Sequence, residues 1–571
     1  MVLSLLSITA LGFFSFKDNG KATEYTTNYF RELNEAVIDL DKAADGYRYG
    51  RTDLDVLRNT LRKTRLSYKK AEFYLAFHYS EYVTTHINGA PLLQIEKEVS
   101  RPYVVNPEGL QVLDELIFSD EAEAEKVEIS AQAKRLKTFY GSLYQSLIKQ
   151  LPGNENDIEA MRMQLVRIFT LGLTGFDTPG SLNAMPEAAV SLEAMNVFFN
   201  ENYKNLSEKQ YKDINALFTG AVAYLDVSPS FEEFDRLEML TRYIDPLYKK
   251  LGELKADANV DLIKYSTGWD PASKSIFAIN FLNPYYFTDL KEEEDSAELK
   301  ALGKSLFYDT VLSSDGKTSC ATCHQPEKAF TDGVPKSLSN VQSKTVLRNA
   351  PTLLNAVYAD RYFYDLRAFT LEQQAEHVIF NPDEFNTAYS AILKKLNSKP
   401  EYELGFKKAF GEKGINREKF SKALASYVLS LNSFNSPFDK FVRGESSSLS
   451  QDVKNGFNLF MGKANCATCH FAPTFSGLVP PFYNENESEI LGILETPNSK
   501  KQDSDSGRYD NKVLSEQAWI YEKSFKTTTV RNAGLTAPYF HNGGYETLEE
   551  VIDFYNEGGG QGKGYIVQNQ T

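Results

Sequence analysis

Residues 319–330 read SCATCHQPEKAF, and the five letters CATCH return at residues 466–470. Between them they contain all four cysteines of the 571-residue chain: Cys320, Cys323, Cys466 and Cys469. Cysteines spaced this way admit a redox pair, half a zinc site, or attachment of a c-type haem. The histidine directly after each second cysteine, His324 and His470, changes the balance. A covalent haem needs two thiols about one helical turn apart to add to its vinyl groups, and an imidazole beside the second thiol to ligate iron. No cysteine is left over once two such groups are assigned. Two covalently bound haems are expected, with zinc knuckles or disulfides as the alternative.

The composition suits a soluble globular chain: 42% hydrophobic, 24% charged and 13% aromatic. At this length there is material for two to four domains with real cores. A formal charge of −15 argues against nucleic acid as a partner, because phosphate binding wants a basic face. An acidic surface suits a basic protein partner or simple solubility. Residues 1–20, MVLSLLSITALGFFSFKDNG, have signal-peptide length and apolarity but lack a basic start and a clear cleavage site. They are read as an export signal, which places the protein in the periplasm.

Outward from the two CATCH motifs, each is preceded by a helix-period stripe: Leu299, Leu302 and Leu306 before the first, and Val453, Phe457, Phe460 and Met461 before the second. Each is followed by a related phrase, VLRNAPTLLN from 346 and TVRNAGLTAPY from 529. The parallel layout suggests duplication. Upstream, Leu54, Leu57 and Leu61, then Ala71, Phe73, Leu75 and Phe77, predict helices. His78 and His86 with Glu72 and Glu81 form a metal candidate there, although packed or surface histidines are commoner. A boundary falls between STGWDPAS and the run LKEEED. The expected fold is mostly α: a helical domain over 21–270, a first haem domain over 285–442, and a second over 443–571.

The phrases LGKSLFYDTVLSSDGKTSCATCH, LRNAPTLLNA, YDLRAFTLEQQA, NPDEF, the second CATCH and LTAPYFHNGGYETLEEVIDFYNEGG run in order from about 285 to 571. In this order they resemble the bacterial di-haem cytochrome c peroxidases, including the MauG-type enzymes. The N-terminal half lies outside that resemblance, apart from a likeness to helical extensions of some relatives. Relatives continue into a closing helix beyond GGGQGKGYIVQNQT, so a missing final helix is expected here.

The resemblance implies that His324 holds the peroxide-binding haem and His470 the second, electron-receiving haem. The chain has six histidines, and none lies between 325 and 376. Many relatives cap the first haem with a histidine in that stretch, so this haem is expected to be open to peroxide without reductive activation. His377 is the one residue that could overturn this, and a structural role is favoured for it. Peroxide cleavage needs a group that takes a proton from the near oxygen and returns it to the departing one. Gln374 and Glu384, ten positions apart, match the family's pocket glutamine and glutamate. Locally, Thr370 and Gln373 read as a capping box, which leaves Gln374 to face inward with Leu371 and Val378.

No methionine follows His470. The helix TLEEVIDFYNEGG opens with a capping box of Thr547 and Glu550 and presents Leu548, Val551 or Ile552, then Tyr555. Tyr555 stands where the resemblance places the second haem's ligand; the plainer reading is a core aromatic, and His541 is the competing ligand. Tyr364 stands where relatives carry an inter-haem tryptophan. The resemblance also implies a calcium ion held by Asn349 with the carbonyls of Thr536 and Pro538, and hard oxygen donors suit it.

Three functions follow from this reading. One is reduction of hydrogen peroxide to water with electrons from a small periplasmic donor such as a cytochrome c or cupredoxin. Another is a MauG-like oxidation of a protein or small partner. The third is a non-catalytic electron carrier or peroxide sensor. A homodimer is compatible with all three.

Overall fold

A computed structural model describes residues 20–96, 102–149, 156–227, 230–254, 267–411 and 413–571. The expected export signal, apart from its last residue, lies outside the described residues. The described chain is mostly helical, with two short antiparallel ribbons, Gln94–Glu96 with Tyr103–Val105 and Ser488–Glu489 with Phe525–Lys526.

The N-terminal half is a bundle whose longest members are Gly20–Arg48, Leu54–His78 and Lys126–Leu147, packed on Asp157–Arg167, Ala184–Asn202 and Glu208–Asp226. The helix Leu54–His78 forms because Leu57, Leu61, Tyr68 and Leu75 recur at spacings that put them on one face, and all four are fully buried. Each large apolar side chain so buried contributes about 1.5–3 kcal/mol. The same helix also buries charge. Arg65 binds Glu187 through two bonds of 2.7 and 2.9 Å, and Lys69 reaches Glu72 and Asp177 at 2.8 Å each. Pairing is what makes these charges tolerable in the core, and losing one partner of such a pair costs about 3–5 kcal/mol.

This arrangement disposes of the histidine–carboxylate candidate. Glu72 is bonded to Lys69 and, at 2.6 Å, to Gln164. His86 instead pairs with Glu108 at 2.5 Å and stacks on Phe139, while His78 packs against Tyr74 and Phe77. The structure does not bring the two histidines and the two glutamates together as ligands.

In the C-terminal half, the helix Ala297–Tyr308 buries Leu299, Leu302 and Leu306 and leads to the first CATCH. It crosses Arg417–Leu429 at Gly303, where a Cβ would lie 1.8 Å from the Ala423 carbonyl oxygen, so only glycine permits the approach. The helix Gln451–Met461 leads to the second CATCH with Phe457 and Met461 buried. Val453, expected on that stripe, is 43% exposed, because it lies in the first turn ahead of the packed face. The arginines of the two related phrases play parallel parts: Arg348 pairs with Asp365 and Asp505, and Arg531 with Asp439.

The bundle is built onto the second of these units. Asn458, on the helix before the second CATCH, donates to Asp235 at 2.9 Å and accepts from the Leu237 amide at 3.1 Å. Arg236 rests on Gly462, where a Cβ would meet its guanidinium at 2.4 Å. Phe482 packs between Phe77 and Trp269, and the Trp269 indole donates to Glu159 at 2.6 Å. One continuous core runs from Tyr29 to Tyr483 as a result.

Candidate functional site

Each CATCH folds so that its histidine presents one ring nitrogen and hides the other. At the first, Ser319 and Thr322 cap the single turn Cys320–Cys323, and the His324 amide donates to the Cys320 carbonyl at 3.0 Å. The His324 Nδ1 lies 3.0 Å from the Phe330 carbonyl. At the second, the His470 Nδ1 lies 3.1 Å from the Thr528 carbonyl and 3.3 Å from that of Phe475. A carbonyl accepts, so both Nδ1 atoms carry the proton and both Nε2 atoms keep a free lone pair. Burial depresses both imidazole pKa values, which favours the neutral, metal-binding form. None of the four cysteines forms a disulfide, and burial pushes the Cys320 thiol up to about 12.

Both histidines open onto one cavity of about 1420 Å³. Cys320, Cys323, Gln374, Glu384, His377, Tyr364, Asn349, Thr536, Pro538, His541 and Tyr555 share its wall. Cys466 and Cys469 do not line it directly, but both act electrostatically on the Tyr555 hydroxyl and so lie beside it.

On the first side, the helix Leu371–Phe380 starts at Thr370, whose hydroxyl accepts from the Gln373 amide at 3.3 Å. The Gln373 side chain folds back as expected, but it accepts from the Phe369 amide at 3.0 Å rather than from Thr370. Gln374, one residue on, lines the cavity, and so does Gln373. Glu384 follows the end of the helix, and the Asn381 side chain donates to its Oε1 at 2.6 Å. Burial pushes the Glu384 pKa above the ordinary carboxylate value; the Asn381 bond and the Arg367 charge act against it. His377 shares the wall and packs edge-on against Phe363, with ring centroids 5.8 Å apart.

On the second side, the Thr547–Glu550 capping box is formed. Leu548, Val551 and Tyr555 face the cavity, whereas Ile552 is 63% exposed, so Val551 is the stripe residue. Phe554 turns the other way into a small core with Ile493 and Tyr545. Burial raises the Tyr555 phenol pKa, and nearby Cys469, Cys466 and Glu489 add to it. Yet 47% of Tyr555's surface is exposed, and it faces the cavity. His541 is occupied elsewhere: its ring stacks on Phe525 at 3.5 Å and its Nε2 lies 3.2 Å from Asp503.

Tyr364 is held by its own backbone, whose carbonyl accepts from the Lys526 amide at 2.7 Å. The Asn349 amide nitrogen donates to the Val334 carbonyl at 2.9 Å, which turns its oxygen the other way. Sequence reasoning missed Asn381 and Lys526. Lys526 lines the cavity, and its ammonium donates to the Arg361 carbonyl at 2.8 Å; burial lowers its pKa to about 8. A buried lysine has no local pattern, but Asn381 stands in the quoted phrase NPDEF and was available to inspection.

These residues fit a haem at each motif. The thiols and the oriented Nε2 atoms would supply its attachment and one iron ligand. Leu338, Leu347, Phe380 and Tyr555, each at least 47% exposed, turn that surface toward the cavity, as a large apolar group requires. Arg348, Arg367 and Lys526 place positive charge on the wall, which suits a haem's carboxylates.

The chain is also similar to known proteins. Residues 297–447 match the family described as di-haem cytochrome c peroxidase. The chain is 34% identical over 283 residues to the cytochrome-c peroxidase IdrP2 of Denitromonas iodatirespirans, covering 47% of this chain and 76% of that one. It is 35% identical over 263 residues to the methylamine utilization protein MauG of Methylorubrum extorquens, covering 46% and 69%. The cytochrome c551 peroxidase of Nitrosomonas europaea matches at 33% over 300 residues, covering 52% and 84%.

Proposed function

Because the chain belongs to the di-haem cytochrome c peroxidase family, and is thus an oxidoreductase acting on peroxide, we propose that it reduces hydrogen peroxide to water in the periplasm. A small donor such as a cytochrome c or cupredoxin supplies the electrons. The reaction consumes two electrons and two protons per peroxide and releases two waters. The observation that supports this reading is that Glu384 and Gln374 line the same cavity as His324.

Each haem, when bound, supplies the iron that binds peroxide or passes electrons. Cys320, Cys323 and His324 hold the first, and Cys466, Cys469 and His470 the second. The protein's own contribution is proton handling and positioning. Glu384 Oε2 takes the proton from the near peroxide oxygen and returns it to the departing oxygen, so that water leaves instead of hydroxide. The Gln374 amide holds the peroxide oxygens in reach of that carboxylate. Tyr364, on the wall shared by both sides, relays charge between them. Asn349 Oδ1 and the Thr536 and Pro538 carbonyls would offer oxygen donors to a calcium ion.

The location of Tyr555 favours a second reading, MauG-like oxidation of a partner. A phenolate is a hard anionic donor, which stabilises the oxidised iron compared with a thioether and makes a poorer acceptor from ordinary cytochromes. The test common to both enzymatic readings is peroxide turnover by Glu384→Gln with haem content intact. Loss of turnover supports them; undiminished turnover means that Glu384 is not the proton-transfer group, and absence of turnover in the wild type favours the carrier or sensor.

A further inference from the structure

The turn that carries Glu384 is organised around one side chain. Asn381 follows the helix Leu371–Phe380, and its amide nitrogen donates back to the carbonyls of His377 and Val378 at 3.1 and 3.3 Å. Its carbonyl accepts from the amides of Glu384 at 3.1 Å and Asn386 at 2.9 Å. Its Oδ1 accepts from the Asp383 amide at 3.0 Å. A backbone N–H can only donate, so the end of the Asn381 amide that faces the Asp383 N–H is its oxygen. The NH2 end must then point the other way, and it meets Glu384 Oε1 at 2.6 Å.

Resting on the reading of Glu384 as the proton-transfer group, we propose that Asn381 is the positioning residue for that transfer. It holds Oε1 and so presents Oε2 as the oxygen that carries the proton. A carboxylate with one oxygen tied cannot rotate to offer either at random, which preserves the near-attack geometry that proton transfer requires. The electrostatics act in the same direction. Burial favours the protonated acid, and the Asn381 N–H is the largest of the influences that favour the carboxylate. The other reading of Asn381, that it only caps the helix and closes the turn, uses its Oδ1 and backbone but leaves the bond to Glu384 without a role.

Asn381→Asp separates the two. Aspartate keeps the oxygen that accepts from Asp383 and nearly the same shape, but replaces the donor facing Glu384 with an acceptor. In the haem-loaded protein, the acid limb of the rate of reaction with peroxide is expected to move to higher pH. At a pH below both limbs the rate falls about tenfold for each unit of that shift, and it recovers as pH is raised. The infrared band of the protonated Glu384 carboxyl, taken as wild type minus Glu384→Gln, is expected to persist to correspondingly higher pH. Asn381→Ser, whose hydroxyl can serve Asp383 but does not span both partners, is the second variant should Asn381→Asp not load haem, and the same direction is expected of it. An unmoved limb and an unmoved band in the variants that load haem overturn the proposal. If Glu384→Gln itself retains the wild-type limb, the assignment of Glu384 falls instead, whatever the Asn381 variants do.

Discussion

Asn458 bonds Asp235 across 223 positions of sequence, its amide nitrogen 2.9 Å from the Asp235 Oδ1 while its own oxygen takes the Leu237 amide at 3.1 Å. The helix that ends at the second CATCH is thereby fastened to the N-terminal bundle, whose Arg236 also rests on Gly462, four residues before Cys466.

Asn458→Ala is expected to loosen that junction. Two hydrogen bonds at about 0.5–1.5 kcal/mol each set the loss at about 1–3 kcal/mol. Thermal unfolding should be followed both by far-ultraviolet dichroism and by haem absorption. The two transitions are expected to coincide in the wild type and to separate in the variant.

Glu516 is a second keystone. It is fully buried, receives Arg508 at 2.7 Å and Arg361 at 3.0 Å, and is also held by Asn511 at 2.7 Å. Burial alone would raise its pKa, but these donors, Arg508 foremost, hold it well below the usual carboxylate range. A depressed folded-state pKa gives stability that is complete above the unfolded value, about 4.3, and is lost as pH falls below it. Denaturant titrations from pH 7 to pH 3 should show this acid loss. Glu516→Gln should flatten it and cost about 3–5 kcal/mol at neutral pH, because two buried guanidiniums lose their counter-charge.

Much of the site could be read in advance because its information is local. The cysteine–histidine spacing is a constraint within one helical turn, and the fold-back of the Gln373 side chain followed from capping within a single helix. Tyr555 was named from the family resemblance, and the helix face shows Val551 rather than Ile552 on the stripe that leads to it. The rest depends on partners distant in sequence. Nothing near Arg65 announces Glu187, 122 positions away, and nothing near Asn458 announces Asp235. Val453 shows the limit within a helix: its spacing matched the stripe, but the first turn lies ahead of the surface that the stripe packs against.

Tyr555→Met should raise the midpoint potential of one haem and leave the other in place. Axial-ligand identity moves haem potentials over a range of about 0.8 V, and a thioether favours the reduced iron. Spectroelectrochemical titration measures this. Unchanged potentials and spectra in both Tyr555→Met and Tyr555→Phe would mean that Tyr555 is a wall aromatic and no ligand.

The pH dependence of kcat/KM should rise with pH through the Glu384 pKa. The carboxylate is the form that accepts the peroxide proton, so activity is lost on the acid side. Burial places that limb above the ordinary carboxylate value of 4.5. Steady-state rates with an artificial reductant across pH 4–8 locate it, and Glu384→Gln should lack it.

The most direct measurement is stopped-flow absorption of the fully oxidised, haem-loaded protein mixed with hydrogen peroxide and no reductant. The predicted result is an immediate change in the Soret band of the wild type, slowed about 100-fold or more in Glu384→Gln. If the wild type stays silent until one haem is pre-reduced, a side chain on the cavity wall, His377 first among them, blocks the peroxide site. If Glu384→Gln reacts as fast as the wild type, Glu384 is not the proton carrier.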